Sequence, residues 1–254
     1  MKLKFLKGRY KKYRKPIPFR QIIPNMVTSG NLLCGMLSLV LTFHGRLVPA
    51  AWLIFFAVIF DGLDGKVARI LGGSTQFGLE YDSLADVVSF GVAPGMLIYA
   101  ASLNGIGGIV AAMAACFFAL CVALRLARFN VVHVPGPFQG LPSPAGGLFA
   151  ASFVIAELPL KTQPLIMAFI LLVTGLLMVS NVPYANLKKL TKKSANKKKC
   201  LLVIGVVALC FILLHKAAPL ALLTVYVVSG LVNFNWEKWL LLRTEPEEHL
   251  ENLG

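Results

Sequence analysis

The stretch Phe60 to Asp86, FDGLDGKVARILGGSTQFGLEYDSLAD, places four aspartates inside sequence that is otherwise apolar enough to cross a membrane. Asp61 and Asp64 are three residues apart, and Asp82 and Asp86 are four apart, so each pair shares one face if both segments are helical. A carboxylate in the hydrocarbon region of a bilayer costs several kcal/mol unless a counter-charge is present. We therefore expect these carboxylates to share a counter-charge, and a metal ion is the usual one.

The two aspartate pairs are predicted to meet at one depth. With a helical rise of about 1.5 Å per residue, Asp61 lies roughly 12 Å before Arg69, and Asp86 lies roughly 12 Å past Gly78. Arg69 is near the end of the first predicted helix, Gly78 is near the start of the next, and Gly72-Gly73-Ser74 forms a short turn between them. In an antiparallel pair of helices the four carboxylates would form one site.

The composition predicts an integral membrane protein with an all-α fold. Of 254 residues, 57% are hydrophobic and 14% are charged, which is too apolar for a soluble domain. The formal net charge of +14 comes largely from lysines and arginines clustered at Lys2 to Arg20 and at Lys188 to Lys199, beside hydrophobic segments. This placement follows the positive-inside rule and suits anionic lipid headgroups, so we expect no nucleic-acid partner.

The hydropathy pattern predicts a polytopic transmembrane helix bundle of about eight spans. We expect a basic cytoplasmic or interfacial segment at residues 1–23, a membrane core at 24–183, a lysine-rich cytoplasmic loop at 184–199, two further spans at 200–234 and a cytoplasmic tail at 235–254. With eight spans, both termini and most basic residues lie on the cytoplasmic side. Six or seven spans stay open as alternatives because the last two are short.

An acid-rich pocket in such a bundle has three uses. It could be a proton or cation pathway, the aspartates could pair with Lys66, Arg69 or Arg125, or their oxygens could bind Mg²⁺ or Mn²⁺ ions that hold phosphates. The glycines favour the metal site, because they leave room beside the carboxylates for a bulky ligand that an ion pathway does not need. These glycines are Gly62, Gly65, Gly72, Gly73 and Gly78.

The opening stretch resembles the signature of the CDP-alcohol phosphatidyltransferases, D-x-x-D-G-x-x-A-R-x8-G-x3-D-x3-D. Every fixed position and spacing of that signature is met between Asp61 and Asp86. The resemblance implies a membrane helix bundle with a six-span core, to which this chain adds two C-terminal spans. It also implies an enzyme that transfers a phosphatidyl group from a CDP-lipid to an alcohol and releases CMP. Homodimers are common in the family, so a homodimer is a further expectation.

The resemblance also implies roles for the aspartates. Asp61, Asp64 and Asp82 would hold two divalent ions, Mg²⁺ or Mn²⁺. Asp86 would be the base that takes the proton of the alcohol, and it is a further candidate metal ligand.

The resemblance and the polar residues of the first span together give a set of candidate CDP-lipid ligands. Small residues would leave space for the cytidine and ribose, and an arginine would face phosphate. Thr28 and Asn31 share a helix face, and they either cap the helix towards the headgroups or line the aspartate cavity. The full set is Thr28, Asn31, Asp61, Gly65, Ala68, Arg69 and Gly78.

Weaker motifs indicate the acceptor alcohol. IPNMVTSGNLLCG (Ile23 to Gly35), VVSFGVAPGMLIY (Val87 to Tyr99), RLARFN (Arg125 to Asn130) and GLPSP (Gly140 to Pro144) resemble the bacterial integral-membrane branch of the family that uses serine. This implies CDP-diacylglycerol and L-serine as substrates, membrane lipids as surroundings, and a site facing the cytoplasm from the cell (inner or plasma) membrane. Transfer to glycerol 3-phosphate or inositol phosphate, and a cation or proton transporter, are the alternatives.

Serine carries a carboxylate and an ammonium group, so its site needs a cation and an acceptor. Arg125 and Arg128 are the candidates for binding the serine carboxylate or a lipid phosphate, although anchoring of the cytoplasmic helix end also explains them. Ser89 and Ser143 are further candidates, and the alternative for both is helix packing.

Overall fold

The computed structural model describes residues 19–73, 75–102, 108–131, 138–158, 163–184 and 197–232, together with Phe234 and Trp239. These ranges hold helices and one short two-stranded β-sheet, so the predicted all-α class is confirmed. The basic segment before residue 19, residues 185–196 of the lysine-rich loop and most of the tail lie outside the described residues. The expectations for them stay predictions.

The helices of the described ranges follow one another with short connections. A π-helical turn, Val87–Val92, joins the helix Gln76–Asp86 directly to the helix Ala93–Ala101, and a 3₁₀ turn, His215–Ala217, joins the last two helices. Strands β1 (Phe138–Gln139) and β2 (Pro183–Tyr184) pair antiparallel. The α-helices are α1 (Phe19–Phe43), α2 (Leu47–Ile70), α3 (Gln76–Asp86), α4 (Ala93–Ala101), α5 (Gly108–Val131), α6 (Ser143–Ile155), α7 (Pro164–Val179), α8 (Lys197–Leu214) and α9 (Ala218–Leu231).

Five helical stretches of the described chain are long and apolar enough to cross a membrane. They are Ile22–Phe43, Leu47–Ile70, Gln76–Ala101, Ala112–Val131 and Leu201–Leu231, of which the last contains most of α8 and all of α9. Helices α6 and α7 are apolar but shorter. Large apolar side chains such as Phe43, Phe169 and Ile212 are exposed on the outside of the bundle, as lipid contact requires. The chain is an integral membrane protein, and the count of eight crossings stays a prediction.

Close helix contacts build the core from small residues. Helix α2 buries Ala50, Ala51, Ile54 and Ala57 at helical spacing, and α1 packs along it. The hydroxyl of Ser38 in α1 donates to the carbonyl oxygen of Ala50 at 2.8 Å. Small side chains let two backbones approach each other, which gives dispersion contacts that lipid tails cannot replace.

The first helix also lies directly against the π-helical turn. A Cβ at Gly35 would lie 2.8 Å from the Cα of Ser89, so only glycine fits there. The Ser89 hydroxyl donates to the backbone oxygen of Asn31 at 2.9 Å. The π turn starts at the residue after Asp86, and such turns are frequent at functional sites.

Helices α8 and α9 form a hairpin at the C-terminal end of the described chain. Lys199, at the start of α8, donates to the backbone oxygen of Trp239, which follows α9, at 2.6 Å. The chain must therefore reverse between the two helices, and His215 with φ +45° lies at that reversal. The hairpin contacts the core through α9, which packs against α6.

Candidate active site

Three carboxylates converge where α2 and α3 face each other. Oxygen atoms of Asp61, Asp64 and Asp82 all lie within 4.8 Å of one another. The turn between the two helices has Gly72 and Gly73 at φ +106°, a conformation that favours glycine, and it reverses the chain so that the aspartates meet. Three of the four carboxylates that the sequence spacing predicts to form one site thus lie together.

The first helix supplies hydrogen-bond donors to the carboxylates. The Thr28 hydroxyl donates to Oδ2 of Asp64, and Nδ2 of Asn31 donates to Oδ1 of Asp86, both at 2.9 Å. Thr28 is 4% exposed and Asn31 is fully buried. Of the two interpretations of these residues, the structure therefore favours contact with the aspartate site over capping towards the headgroups.

Asp86 lies apart from the three clustered carboxylates. It is the last residue of α3 and only 6% exposed. Its carboxylate accepts from Asn31 and lines a cavity that also contains Asp61 and Asp82. Asp86 is thus close to the three clustered carboxylates, but its hydrogen bond comes from Asn31, whereas that of Asp64 comes from Thr28. This separate contact allows Asp86 a separate chemical role.

A cavity of about 250 Å³, here called the glycine cavity, lies on one side of the aspartates. Gly65 has open space where a side chain would begin, so the backbone of α2 is accessible there. The amide of Gly78 donates to the Thr75 hydroxyl at 3.0 Å, which caps the start of α3. Five of the seven candidate CDP-lipid residues line this cavity, namely Thr28, Gly65, Ala68, Arg69 and Gly78, together with the candidate metal ligands Asp64 and Asp82. The other two candidates, Asn31 and Asp61, are not among its lining residues.

A second cavity of about 590 Å³, here called the arginine cavity, lies on the other side. Asp82 borders both cavities, so the aspartates stand at the junction of the two. Arg125 is the only basic residue among the described residues that line the arginine cavity. The polar and charged residues that line the arginine cavity are Asp61, Asp82, Ser83, Asp86, Arg125, Asn130, Ser143 and Tyr226.

Arg125 is buried and held in place within the bundle. It is 5% exposed, its Nη1 donates to the Ser143 hydroxyl at 2.9 Å, and its guanidinium lies 4.7 Å from the centre of the Phe129 ring. Helix α5 supplies the arginine and the N-terminal residue of α6 supplies the serine. The RLARFN and GLPSP motifs, which are separate in the sequence, thus contact each other through Arg125 and Ser143.

Two of the candidate acceptor residues, Arg128 and Ser89, lie outside the described lining of both cavities. Arg128 is exposed and donates to Oε1 of Gln139 and Oδ1 of Asn181, each at 2.9 Å, which ties α5 to the region of the β-pair. Ser89 is fully buried against α1. The contacts that the structure shows for these two residues are structural, and acceptor binding by them stays a prediction.

Several polar residues of the arginine cavity do not stand out in the sequence. Nδ2 of Asn130 in α5 lies 3.1 Å from the Ser83 hydroxyl in α3 and also donates to Glu80. The only signal for Asn130 in the sequence is that it ends the RLARFN motif, five residues after Arg125. Tyr226 belongs to an apolar helix far along the chain, and no local pattern indicates that it reaches the site.

The three clustered aspartates fit a hard metal ion. Their donors are all carboxylate oxygens, which Mg²⁺, Mn²⁺ and Ca²⁺ prefer. The oxygens are close enough for ions to bridge residues from two helices, and one of the three side chains, Asp64, is buried.

Comparison with known proteins identifies the family. Residues 21–187 match the CDP-alcohol phosphatidyltransferase family. The chain is 36% identical over 239 residues to the CDP-diacylglycerol–serine O-phosphatidyltransferase of Helicobacter pylori, which covers 89% of this chain and 94% of that protein. It is 38% identical over 215 residues to the protein of the same name from Methanocaldococcus jannaschii, which covers 84% and 94%.

A third relative, whose name refers to archaetidylserine, is similar over a shorter region. The archaetidylserine synthase of Methanothermobacter thermautotrophicus is 38% identical over 165 residues, which covers 64% of this chain and 69% of that protein. The family match covers the three-aspartate cluster, Asp86 and Arg125. This chain belongs to the CDP-alcohol phosphatidyltransferase family.

Proposed function

We propose that this protein synthesises phosphatidylserine by transferring the phosphatidyl group of CDP-diacylglycerol to the hydroxyl of L-serine, with release of CMP. The observation that carries the proposal is the position of the aspartates at the junction of two cavities. A transfer reaction needs one binding space for the donor and one for the acceptor, which meet at the reacting phosphorus. The names of the relatives from Helicobacter pylori and Methanocaldococcus jannaschii support serine as the acceptor.

The glycine cavity is the proposed site of the CDP group. Arg69 lines it and can bind phosphate, while Gly65, Ala68 and Gly78 leave space for the cytidine and ribose. Asp61, Asp64 and Asp82 would hold two Mg²⁺ or Mn²⁺ ions next to it. When bound, such ions neutralise the charge on the pyrophosphate and on the departing CMP. Thr28 fixes the orientation of Asp64 through its hydrogen bond.

The arginine cavity is the proposed site of serine. Arg125 is placed to bind the serine carboxylate. The serine oxygen forms a bond to the phosphorus that carries diacylglycerol, the bond from that phosphorus to the CMP oxygen breaks, and CMP leaves. Asp86 takes the proton of the serine hydroxyl, and Asn31 holds Asp86 in the orientation for this step.

The basic residues of the arginine cavity argue against a phosphorylated acceptor. Among the described residues that line it, Arg125 is the single basic side chain. Glycerol 3-phosphate and inositol phosphate bring a phosphate with a charge near −2, for which one arginine is a poor match. Serine brings one carboxylate, which a single guanidinium can bind, so it fits this lining better.

We also propose that the site faces the cytoplasm in the cell (inner or plasma) membrane. The basic residues of the N-terminal segment and of the loop at 184–199 support this orientation through the positive-inside rule. A homodimer stays a prediction of the resemblance.

The test supplies purified protein in lipid vesicles with CDP-diacylglycerol and Mn²⁺, then adds L-serine, glycerol 3-phosphate or inositol phosphate, and measures CMP. We expect CMP release that depends on serine. Release with a phosphorylated alcohol but not with serine would reject the acceptor, and no acceptor-dependent release would reject the enzyme. Ion flux through the vesicles without CMP release would instead support the transporter alternative.

A further inference from the structure

The last helix, α9, contributes side chains to the arginine cavity, although it lies beyond the residues that match the family. Leu223 and Tyr226 line this cavity together with Arg125 and Ser143. They are three residues apart and so share one face of α9. The family match ends at residue 187. One side of the cavity is thus built by a segment outside residues 21–187, although the match to the Helicobacter pylori relative, which covers 89% of this chain, extends beyond them.

Specific contacts fix the position of α9. The Tyr184 hydroxyl of strand β2 donates to the backbone oxygen of Val227 at 3.1 Å, and the rings of Tyr184 and Tyr226 are 5.7 Å apart. Gly230, one turn further along, lies so close to the Tyr184 ring that a Cβ there would overlap it. Tyr184 is 2% exposed, so the helix is held on a buried side chain of the core.

The contacts of α9 and α6 place Tyr226 opposite the proposed serine ligands. Helix α9 packs against α6, whose first residue, Ser143, accepts a hydrogen bond from Arg125. Tyr226, Ser143 and Arg125 therefore line one space from three different helices. A tyrosine ring occupies a large, rigid volume and presents a polar hydroxyl, so it limits the space that remains beside the guanidinium.

We propose that α9 forms one wall of the arginine cavity and that Tyr226 is a specificity-determining residue, whose ring limits the size of the acceptor alcohol. This inference rests on the proposed function, because it requires the acceptor to bind in the arginine cavity. One extra methylene in a closely fitting pocket changes kcat/KM by about 10- to 200-fold. L-Homoserine, which extends serine by one methylene and keeps a primary hydroxyl, is therefore the probe.

The experiment compares the variants Tyr226→Ala, Leu223→Ala and Tyr226→Phe with the unmodified protein, each in lipid vesicles. Initial rates of CMP release give kcat/KM for L-serine and L-homoserine, and KM for CDP-diacylglycerol. We expect both alanine variants to raise the homoserine-to-serine ratio at least about tenfold, because they enlarge the cavity, without changing the KM for CDP-diacylglycerol. Tyr226→Phe keeps the ring and should keep the ratio of the unmodified protein. Val225→Ala, on the exposed side of α9, is the matched control and should behave as the unmodified protein does.

An unchanged homoserine-to-serine ratio in folded Tyr226→Ala and Leu223→Ala would overturn the inference. A rise in the KM of both substrates with an unchanged ratio would do the same, because it would show a purely structural role. If Tyr226→Ala does not fold, the ratio for Leu223→Ala decides. Failure of the proposed function is recognised separately, since the unmodified protein would then release no CMP with serine. If it uses another alcohol, the same ratio is measured with that alcohol and its homologue one methylene longer.

Discussion

Asn31 connects α1 to Asp86 and to the π turn that follows Asp86. Its side-chain amide donates to Asp86, and its backbone oxygen accepts from Ser89 in the π turn that follows Asp86. The side chain is fully buried, so no solvent competes for the hydrogen bond. A base whose orientation is fixed by a buried donor needs no rearrangement when the alcohol arrives. We therefore regard Asn31 as a positioning residue for Asp86.

The proposed division of roles among the aspartates predicts different defects for two neutralising substitutions. Asp86→Asn removes the proton acceptor and should lower kcat by at least about 100-fold, with binding of Mn²⁺ and CDP-diacylglycerol preserved. Asp64→Asn should weaken Mn²⁺ binding instead, because a neutral amide replaces a charged ligand. CMP release and calorimetric Mn²⁺ titration measure the two effects. Loss of Mn²⁺ binding in Asp86→Asn would show that Asp86 is a ligand and that the division is wrong.

Removal of the Asn31 side chain should act on turnover more than on donor binding. A hydrogen bond to a charged group contributes about 1.5 to 3 kcal/mol, so Asn31→Ala should lower kcat by roughly 10- to 100-fold. The KM for CDP-diacylglycerol should stay near that of the unmodified protein. Ser38→Ala is the control, since it removes another buried hydrogen bond of α1, away from the aspartates. A raised KM for CDP-diacylglycerol with an unchanged kcat would place Asn31 in donor binding.

At the scale of elements, the contact of α1 with the π turn fixes the helix that supplies Thr28 and Asn31. Gly35 allows this contact because its missing side chain leaves room for the backbone of Ser89. The π turn inserts a local change of helical phase directly after Asp86. The two features together bring donors of α1 and carboxylates of α3 to the same place.

A methyl group at Gly35 should therefore destabilise the bundle. Gly35→Ala inserts a Cβ 2.5 Å from Oγ of Ser89, and such overpacking costs about 1 to 3 kcal/mol. Gly205→Ala is the matched control, because nothing lies within 4 Å of the added Cβ in α8. Thermal unfolding in detergent should show a lower midpoint for Gly35→Ala only. Equal midpoints for the two variants would show that α1 can move away from the π turn at little cost.

At the scale of the whole molecule, the aspartate site lies within residues 21–187, which match the family, and the C-terminal hairpin follows them. Residues 21–187 contain the three-aspartate cluster, Asp86 and Arg125. The hairpin contacts this region through α9, and Lys216 pairs with Glu157 at 2.6 Å near the turn of the hairpin. Both partners of this ion pair are exposed, so the apolar contacts of α9 account for most of its attachment.

The charge distribution predicts which connections lie on each side of the membrane. A membrane-impermeant maleimide added to cells should label His44→Cys, in the turn after α1, but should label Gln76→Cys, at the start of α3, only after the cells are opened. Both positions are exposed.

A reporter at the C-terminus should be cytoplasmic if the chain crosses eight times. An outward C-terminus would require an odd number of crossings. Maleimide labelling of the unmodified protein, through its own cysteines, gives the background.

The sequence by itself determined the features that depend on short separations along the chain. Apolar runs and their glycine and proline breaks predict the helices. The three- and four-residue spacings with the Gly72-Gly73 turn predict that the four aspartates form one site, and oxygen atoms of three of them, Asp61, Asp64 and Asp82, lie within 4.8 Å of one another. These predictions succeed because helix periodicity and turn conformation are set locally. The family signature lies in the same stretch.

Only the tertiary structure decided which distant residues join this site. It pairs Arg125 with Ser143, places Tyr226 in the same cavity and directs Arg128 to Gln139 and Asn181. Arg125 and Arg128 are three residues apart and look equivalent in sequence. They differ because Arg125 lies on the buried side of α5, where it contacts Ser143, whereas Arg128 lies on the exposed side. Which side of a helix is buried depends on side-chain fit across the whole bundle.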